Sequence, residues 1–202
     1  MTTPTPPHLG GAHHDKPDAN TWMPDVWGGL IDRHRIRSMI DIGCGAGWVT
    51  QWWAHAGVRA LGVEGDPAAF AARRTDAMYR HDYTAGPFTP KDHYDLGWCA
   101  EFVEHVEEKY MANWMATMQA CRLVVITFAT PGQGGHHHVN EQPEEYWIDR
   151  FATAAFDIDR EETARMRGTS RGEAWGRPTL TMFRNRLFGH PDPSWVLGAF
   201  KR

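Results

Sequence analysis

Glu101, Glu104 and His105 stand at positions i, i+3 and i+4 of the segment Glu101-Phe102-Val103-Glu104-His105. On a helix this spacing brings all three side chains to one face, so two carboxylates and an imidazole converge on one point. Packed together, such groups repel unless a cation lies between them. A second source of imidazole follows in Gly134-Gly135-His136-His137-His138-Val139-Asn140-Glu141, where one of three adjacent histidines completes a Glu-Glu-His-His set. Mixed carboxylate and imidazole ligands suit Mg²⁺, Mn²⁺, Fe²⁺ or Co²⁺, and Zn²⁺ less so without a cysteine ligand. Without a cation, the same groups supply acid/base chemistry. His105 or a histidine of 136–138 is then the general base, and Glu104 orients it.

A second chemical signal is Asp41-Ile42-Gly43-Cys44-Gly45-Ala46-Gly47. Glycines between a strand and a helix let backbone approach a ligand, and the helix start offers unpaired N–H groups. Glu64 ends the next strand about 20 residues on, where a carboxylate accepts both hydroxyls of a ribose. The dinucleotide fingerprint Gly-x-Gly-x-x-Gly fails, because Trp48 stands at its third glycine position and obstructs a pyrophosphate. That weighs against a nicotinamide-dependent oxidoreductase, which stays open beside a cofactor-binding protein without activity.

The elements that must position these groups alternate. An amphipathic stretch Trp27–Arg35 precedes a strand over 36–42, and a helix runs from Trp48 to His55. A strand over 60–64 leads into a helix with Asp66 as N-cap and Pro67 at its first position. Strands near 78–82 and at 94–99 come next, then a helix predicted over 101–120, a strand over 123–128 and a helix from Pro143 to Phe151. Thr179 to Phe183 is the best strand of the C-terminal part. Alternating strands and helices predict an α/β fold, a mainly parallel sheet with helices on both faces. Both candidate sites then leave the carboxyl edge of that sheet, where open α/β sheets bind ligands.

The chain has 202 residues, which suits one domain with a full core. A tail over 1–20, rich in Pro, Gly, Thr and His, is expected to be disordered, with the folded domain over 21–202. The tail lacks an apolar h-region, so it does not read as a secretory signal. No window holds 18 consecutive apolar residues, so no membrane span is expected. The net charge of −4 disfavours a broad phosphate-binding surface. Arg160, Arg165, Arg167 and Arg171 cluster, but Glu161, Glu162 and Glu173 dilute them, as on a solvated helix face. Cys44, Cys99 and Cys121 are too few and scattered for a disulfide framework, and a cytoplasmic location is expected. Ten tryptophans are many for this length, and Trp22, Trp27 and Trp48 are candidates to wall a pocket as well as to fill a core. Nothing in the chain fixes an oligomeric state.

Asp-x-Gly-Cys-Gly-x-Gly, then Val63-Glu64-Gly65-Asp66, then Asp95-Leu96-Gly97-Trp98-Cys99 resembles the class I S-adenosylmethionine-dependent methyltransferases, from about Ile36 to Ile148. The resemblance implies a Rossmann-like, doubly wound, seven-stranded sheet and S-adenosylmethionine as cofactor. Asp41, Gly43, Gly45 and Gly47 then lie against the methionine part and Glu64 holds the ribose. Asp82 accepts the adenine amino group, and Cys99 stands at the end of strand four beside the cofactor. Glu-x-x-Glu-His after strand four is similar to two subgroups, the small-RNA 2′-O-methyltransferases and the ubiquinone-biosynthesis O-methyltransferases. The first implies a divalent metal on Glu101, Glu104, His105 and a distal histidine, for which His138 is the best counterpart, with His136 and His137 open. The acceptor expected first is a small hydroxylated molecule, sugar-like or phenolic, with an RNA terminus as the alternative. Segments typical of amino-directed and carbon-directed base methylation are absent: Trp98-Cys99-Ala100-Glu101 replaces the Pro-Pro-Tyr type, and no Pro-Cys dipeptide occurs.

Overall fold

In the computed structural model, residues 6–10, 15–169, 178–189 and 198 are described. Helix α1 (Pro24–His34) starts at a proline with Asp25 in its first turn and precedes β1 (Ser38–Ile42). Helix α2 (Trp48–His55) follows the glycine turn, and β2 (Arg59–Glu64) leads to α3 (Pro67–Ala71), whose N-cap Asp66 accepts from the Ala68 N–H at 2.9 Å. Strands β3 (Met78–Arg80) and β4 (Tyr94–Cys99) come next, then α4 (Met111–Gln119) and β5 (Cys121–Ile126). The chain continues through α5 (Glu144–Thr153), β6 (Phe156–Ile158), α6 (Arg160–Thr169) and β7 (Thr181–Asn185). The strands form one seven-stranded sheet in the order β3-β2-β1-β4-β5-β7-β6. Strands β1 to β5 are parallel, and β7 runs antiparallel to both β5 and β6.

Alternation along the central strands fills two cores. Ile40, Ile42, Val124 and Ile126 face Trp114, Met118, Trp147 and Phe151 of α4 and α5. Met39, Leu96, Leu123 and Val125 face Trp27, Leu30, Trp53 and Met166 of α1, α2 and α6. Every residue of β1 is buried, as a strand covered on both faces requires. The chain steps outward from β1 to β3 and returns to β4 on the other side of β1. The carboxyl ends of β1 and β4 therefore open a crevice at the switch point. Among the described residues no helix is long and apolar enough to cross a membrane.

One expected element differs. No continuous helix runs over 101–120: two 3₁₀ turns, Val103–His105 and Glu108–Tyr110, precede α4. Trp27 is fully buried and does not border the cavity at the sheet edge; it packs edge-on against Trp22 and Trp98 in the core. The C-terminal arginines do lie on a helix, α6. Arg165 pairs with Glu161, and Arg167 with Glu144 and the Leu180 carbonyl; Arg171 and Glu173 lie outside the described residues.

Candidate active site

The turn after β1 is pinned from β2: the Gly43 and Cys44 N–H groups both donate to the Val63 carbonyl, at 2.9 and 3.2 Å. Gly43 has φ +72°, and a Cβ there would stand 2.5 Å from Phe102. Only glycine lets Phe102 close over the turn. Glu64 braces the next bend, its carboxylate accepting from the Gly45 N–H and the Asp66 N–H, each at 2.7 Å. Burial raises its pKa to about 7. Asp41 accepts from the Thr50 hydroxyl at 2.8 Å, and burial raises it to about 7 as well.

These groups border a cavity of about 360 Å³ at the crevice between β1 and β4. Asp41, Gly43, Gly45, Glu64 and Asp82 line it, as do Trp22 and Trp48. Asp82 Oδ1 accepts from the Thr84 N–H and hydroxyl, and Oδ2 contacts His8 Nε2 at 2.9 Å. Burial would raise the Asp82 pKa, but these hydrogen bonds outweigh it and hold the carboxyl below its usual value. Two expected cofactor residues stand elsewhere. Gly47 does not border the cavity. It is the left-handed N-cap of α2, where a Cβ would meet the Met78 sulfur at 2.6 Å. Cys99 is fully buried in the core, because its side chain alternates away from the crevice into the layer under α4. Sequence reasoning missed Cys44, Ala46 and Trp98, as well as His8, Leu9 and Lys16 of the N-terminal segment. The first three lie inside the quoted motifs, between the residues singled out there, whereas the last three carry no local signal.

At the other end of the cavity, Glu104, His105 and His138 each offer a ligand atom, all within 4.8 Å of one another. A tight turn brings them together rather than a helical face. Glu101 has φ +50°, and its N–H is taken by the Thr127 hydroxyl at 2.8 Å. The Glu104 carbonyl accepts from the Val139 and Asn140 N–H groups at 3.0 and 3.1 Å, which fastens the histidine loop to the 3₁₀ turn. The His105 and His138 rings then meet edge to face at 4.8 Å. Glu101 borders the cavity, but its carboxylate accepts from the Thr127 hydroxyl at 2.7 Å and stands outside the close trio. His136 also borders the cavity.

Glu104 is fully buried, and among the described residues neither of its oxygens has a hydrogen-bond partner. Burial, then the Glu101 carboxylate beside it, raises its pKa well above the ordinary value. Burial and the His138 imidazole lower His105 to about 4, so it is neutral at pH 7 and keeps a lone pair. His138 Nδ1 lies 3.1 Å from Glu141 Oε1; because a carboxylate only accepts, Nδ1 carries the proton, which leaves Nε2 as the nitrogen to offer a lone pair to an ion. Glu141 also accepts from the Gly132 and Gly134 N–H groups at 2.7 and 2.6 Å, closing the loop around itself. A divalent cation fits this donor set. It would neutralise the buried Glu104 carboxylate and would use a nitrogen from each of the two imidazoles.

Residues 40–125 match the family model described as a methyltransferase domain. A ubiquinone biosynthesis O-methyltransferase of Rhodopseudomonas palustris is 29% identical over 97 residues, and one of Bradyrhizobium sp. matches to the same extent. The matched region covers 44% of this chain and 38% of those proteins' length. The sugar N-methyltransferase KedS8 from Streptoalloteichus sp has a similar fold, with a TM-score of 0.60 at 15% identity over 80% of this chain and 85% of its own. So does the magnesium protoporphyrin IX methyltransferase of Synechocystis with bound S-adenosylmethionine, with a TM-score of 0.55 at 15% identity over 80% and 76%. The methyltransferase domain of bacterial CtHen1 follows with a TM-score of 0.52 at 15% identity over 78% and 95%.

Proposed function

We propose, from the premise that this chain is a class I S-adenosylmethionine-dependent methyltransferase, that it O-methylates a hydroxyl of a small molecule with the help of a divalent metal. The observation that carries the metal is Glu104, a buried carboxylate whose two oxygens have no hydrogen-bond partner among the described residues, beside the His105 and His138 imidazoles. The O-methyltransferase and sugar methyltransferase names among the similar proteins support a small hydroxylated acceptor, sugar-like or phenolic. The engaged arginines of α6 and the net charge of −4 weigh against a nucleic-acid track. An RNA 2′-O-methyltransferase is the second reading, favoured by the Glu-x-x-Glu-His spacing with a distal histidine. We place the protein in the cytoplasm, where its free cysteines stay reduced.

S-adenosylmethionine, when bound, supplies an electrophilic methyl group on a sulfonium sulfur. Glu64 accepts from the ribose hydroxyls with the lone pairs that its two backbone donors leave free, and Asp82 accepts from the adenine amine. A divalent ion, when bound, lowers the pKa of a neighbouring hydroxyl. Glu104, His105 and His138 would hold it, with Glu101 adjacent. Without an ion, the His105 or His138 imidazole would instead accept the proton that the hydroxyl sheds. Phe102 and Trp48 line the crevice with apolar surface. Much of the rate then comes from positioning and electrostatics.

Titration is expected to give roughly micromolar binding of S-adenosylhomocysteine and none of NAD. Methyl transfer to a panel of diols, phenols and short RNA should favour the small hydroxylated compounds, stop with a chelator and return with Mg²⁺, Mn²⁺ or Co²⁺. Transfer retained in chelator would remove the metal, and transfer to RNA alone would establish the second reading. NAD binding without S-adenosylhomocysteine binding would overturn the methyltransferase chemistry. Glu141→Ala frees His138 and opens its loop. It should weaken metal binding about 10- to 100-fold, read from Co²⁺ absorption, and Glu141→Gln should recover part of it.

A further inference from the structure

The described N-terminal residues lie across the nucleoside end of the cavity. His8, Leu9 and Gly10 all border it. His8 Nε2 meets Asp82 Oδ2 at 2.9 Å and the Thr84 hydroxyl at 3.3 Å, with the His8 and Asp82 side chains 27% and 28% exposed. Leu9 covers the bend beside Glu64. A Cβ on Gly65 would stand 2.8 Å from its Cδ2, so the absence of a side chain at 65 admits the segment. On the far side, the His8 ring lies 6.5 Å from that of His137, and a Cβ on Gly10 would stand 3.8 Å from His136 Nε2. The segment therefore bridges the carboxylates after β2 and β3 and the histidine loop.

We infer that His8 is a positioning residue of the cofactor site: it fixes the Asp82 carboxylate for the exocyclic amine of the adenine, and Leu9 roofs the bend beside the ribose carboxylate. This rests on the assignment of Asp82 to the adenine. A carboxylate has about four acceptor sites. Thr84 uses two through Oδ1 and His8 one through Oδ2, which leaves one aligned for a single N–H donor. Because His8 can only donate to Oδ2, it turns the carboxylate so that the remaining lone pair faces the cavity. The segment also covers part of that carboxylate, which matters because a hydrogen bond to an ion weakens in free exchange with solvent.

The test compares S-adenosylhomocysteine with S-inosylhomocysteine, whose ring carries a carbonyl where adenine has its amine. A carboxylate opposite that carbonyl is repelled, so the full chain should prefer the adenosyl ligand by about 10- to 100-fold. In His8→Ala the preference should fall about tenfold, chiefly through weaker adenosyl binding, and His8→Gln, which keeps a side-chain N–H donor, should restore much of it. A purely structural role would weaken both ligands alike and leave their ratio unchanged, which overturns the inference. Tighter adenosyl binding in His8→Ala also overturns it, since His8 would then occupy the place of the amine. Failure of the full chain to bind either nucleoside would instead overturn the methyltransferase reading itself.

Discussion

Glu104→Gln is expected to lose methyl transfer by about 10²- to 10⁴-fold while making the metal-free protein more stable. The two effects have one cause. The native carboxylate sits at zero exposure, next to the Glu101 carboxylate and with no hydrogen-bond partner among the described residues. Its ionised form is costly there, because burial removes water and the neighbour repels it. An amide of nearly the same shape carries no charge and can donate to Glu101. Replacing a badly compensated buried charge commonly gains about 1–2 kcal/mol, or roughly 2–8 °C in melting temperature for a chain of this size. Added Mn²⁺ should raise the melting temperature of the parent by mass action and leave the variant unmoved. Thermal scans at pH 8 with and without the metal, beside single-turnover assays, read all of this. Unchanged melting and activity within twofold would mean that the carboxylate has no work to do with a cation or a proton.

The second large effect belongs to Glu64. Its carboxylate ties the glycine turn to the start of α3 and faces the cavity where a ribose would lie. Glu64→Ala removes both the brace and the acceptor, and each hydrogen bond to a charged group contributes about 1.5–3 kcal/mol. The Kd for S-adenosylhomocysteine should rise about 10²- to 10³-fold by calorimetry. Glu64→Gln should lose nearly as much, since an amide presents N–H where the backbone already donates. Volume would then be excluded as the cause. The pH dependence has a definite sign. Burial holds the Glu64 pKa near 7, and hydroxyl donors bind the ionised form better. Affinity should therefore increase from pH 6 to pH 8 in the parent and stay flatter in Glu64→Gln. A parent whose affinity falls over that range would remove Glu64 from the ribose.

The glycine turn, Glu64 and the alternation of strands and helices were legible because each is a local constraint. Gly43 must bend where Val63 takes two N–H groups, and Asp66-Pro67 starts a helix wherever it stands. Glu-x-x-Glu-His was legible as chemistry but not as geometry. A helix would commit the Glu104 carbonyl to the N–H four residues on, whereas here Val139 and Asn140 take it from about 35 residues away in sequence. The helix Arg160–Thr169 was legible only through its arginines, and the strand Phe156–Ile158 not at all, since three residues of edge strand leave little periodic signal.

By itself, then, the sequence determined which residue types meet at the carboxyl edge of a parallel sheet, because periodicity, capping and turn chemistry act over a few residues. Only the tertiary structure decided that Glu104 has no partner among the described residues while Glu101 is held by Thr127, and that Cys99 and Gly47 do not border the cavity. It also decided that His8 reaches Asp82 across 74 residues of chain. Those outcomes depend on burial and on hydrogen bonds between distant segments, whose competition for the same donors and acceptors is settled only when the whole chain is packed.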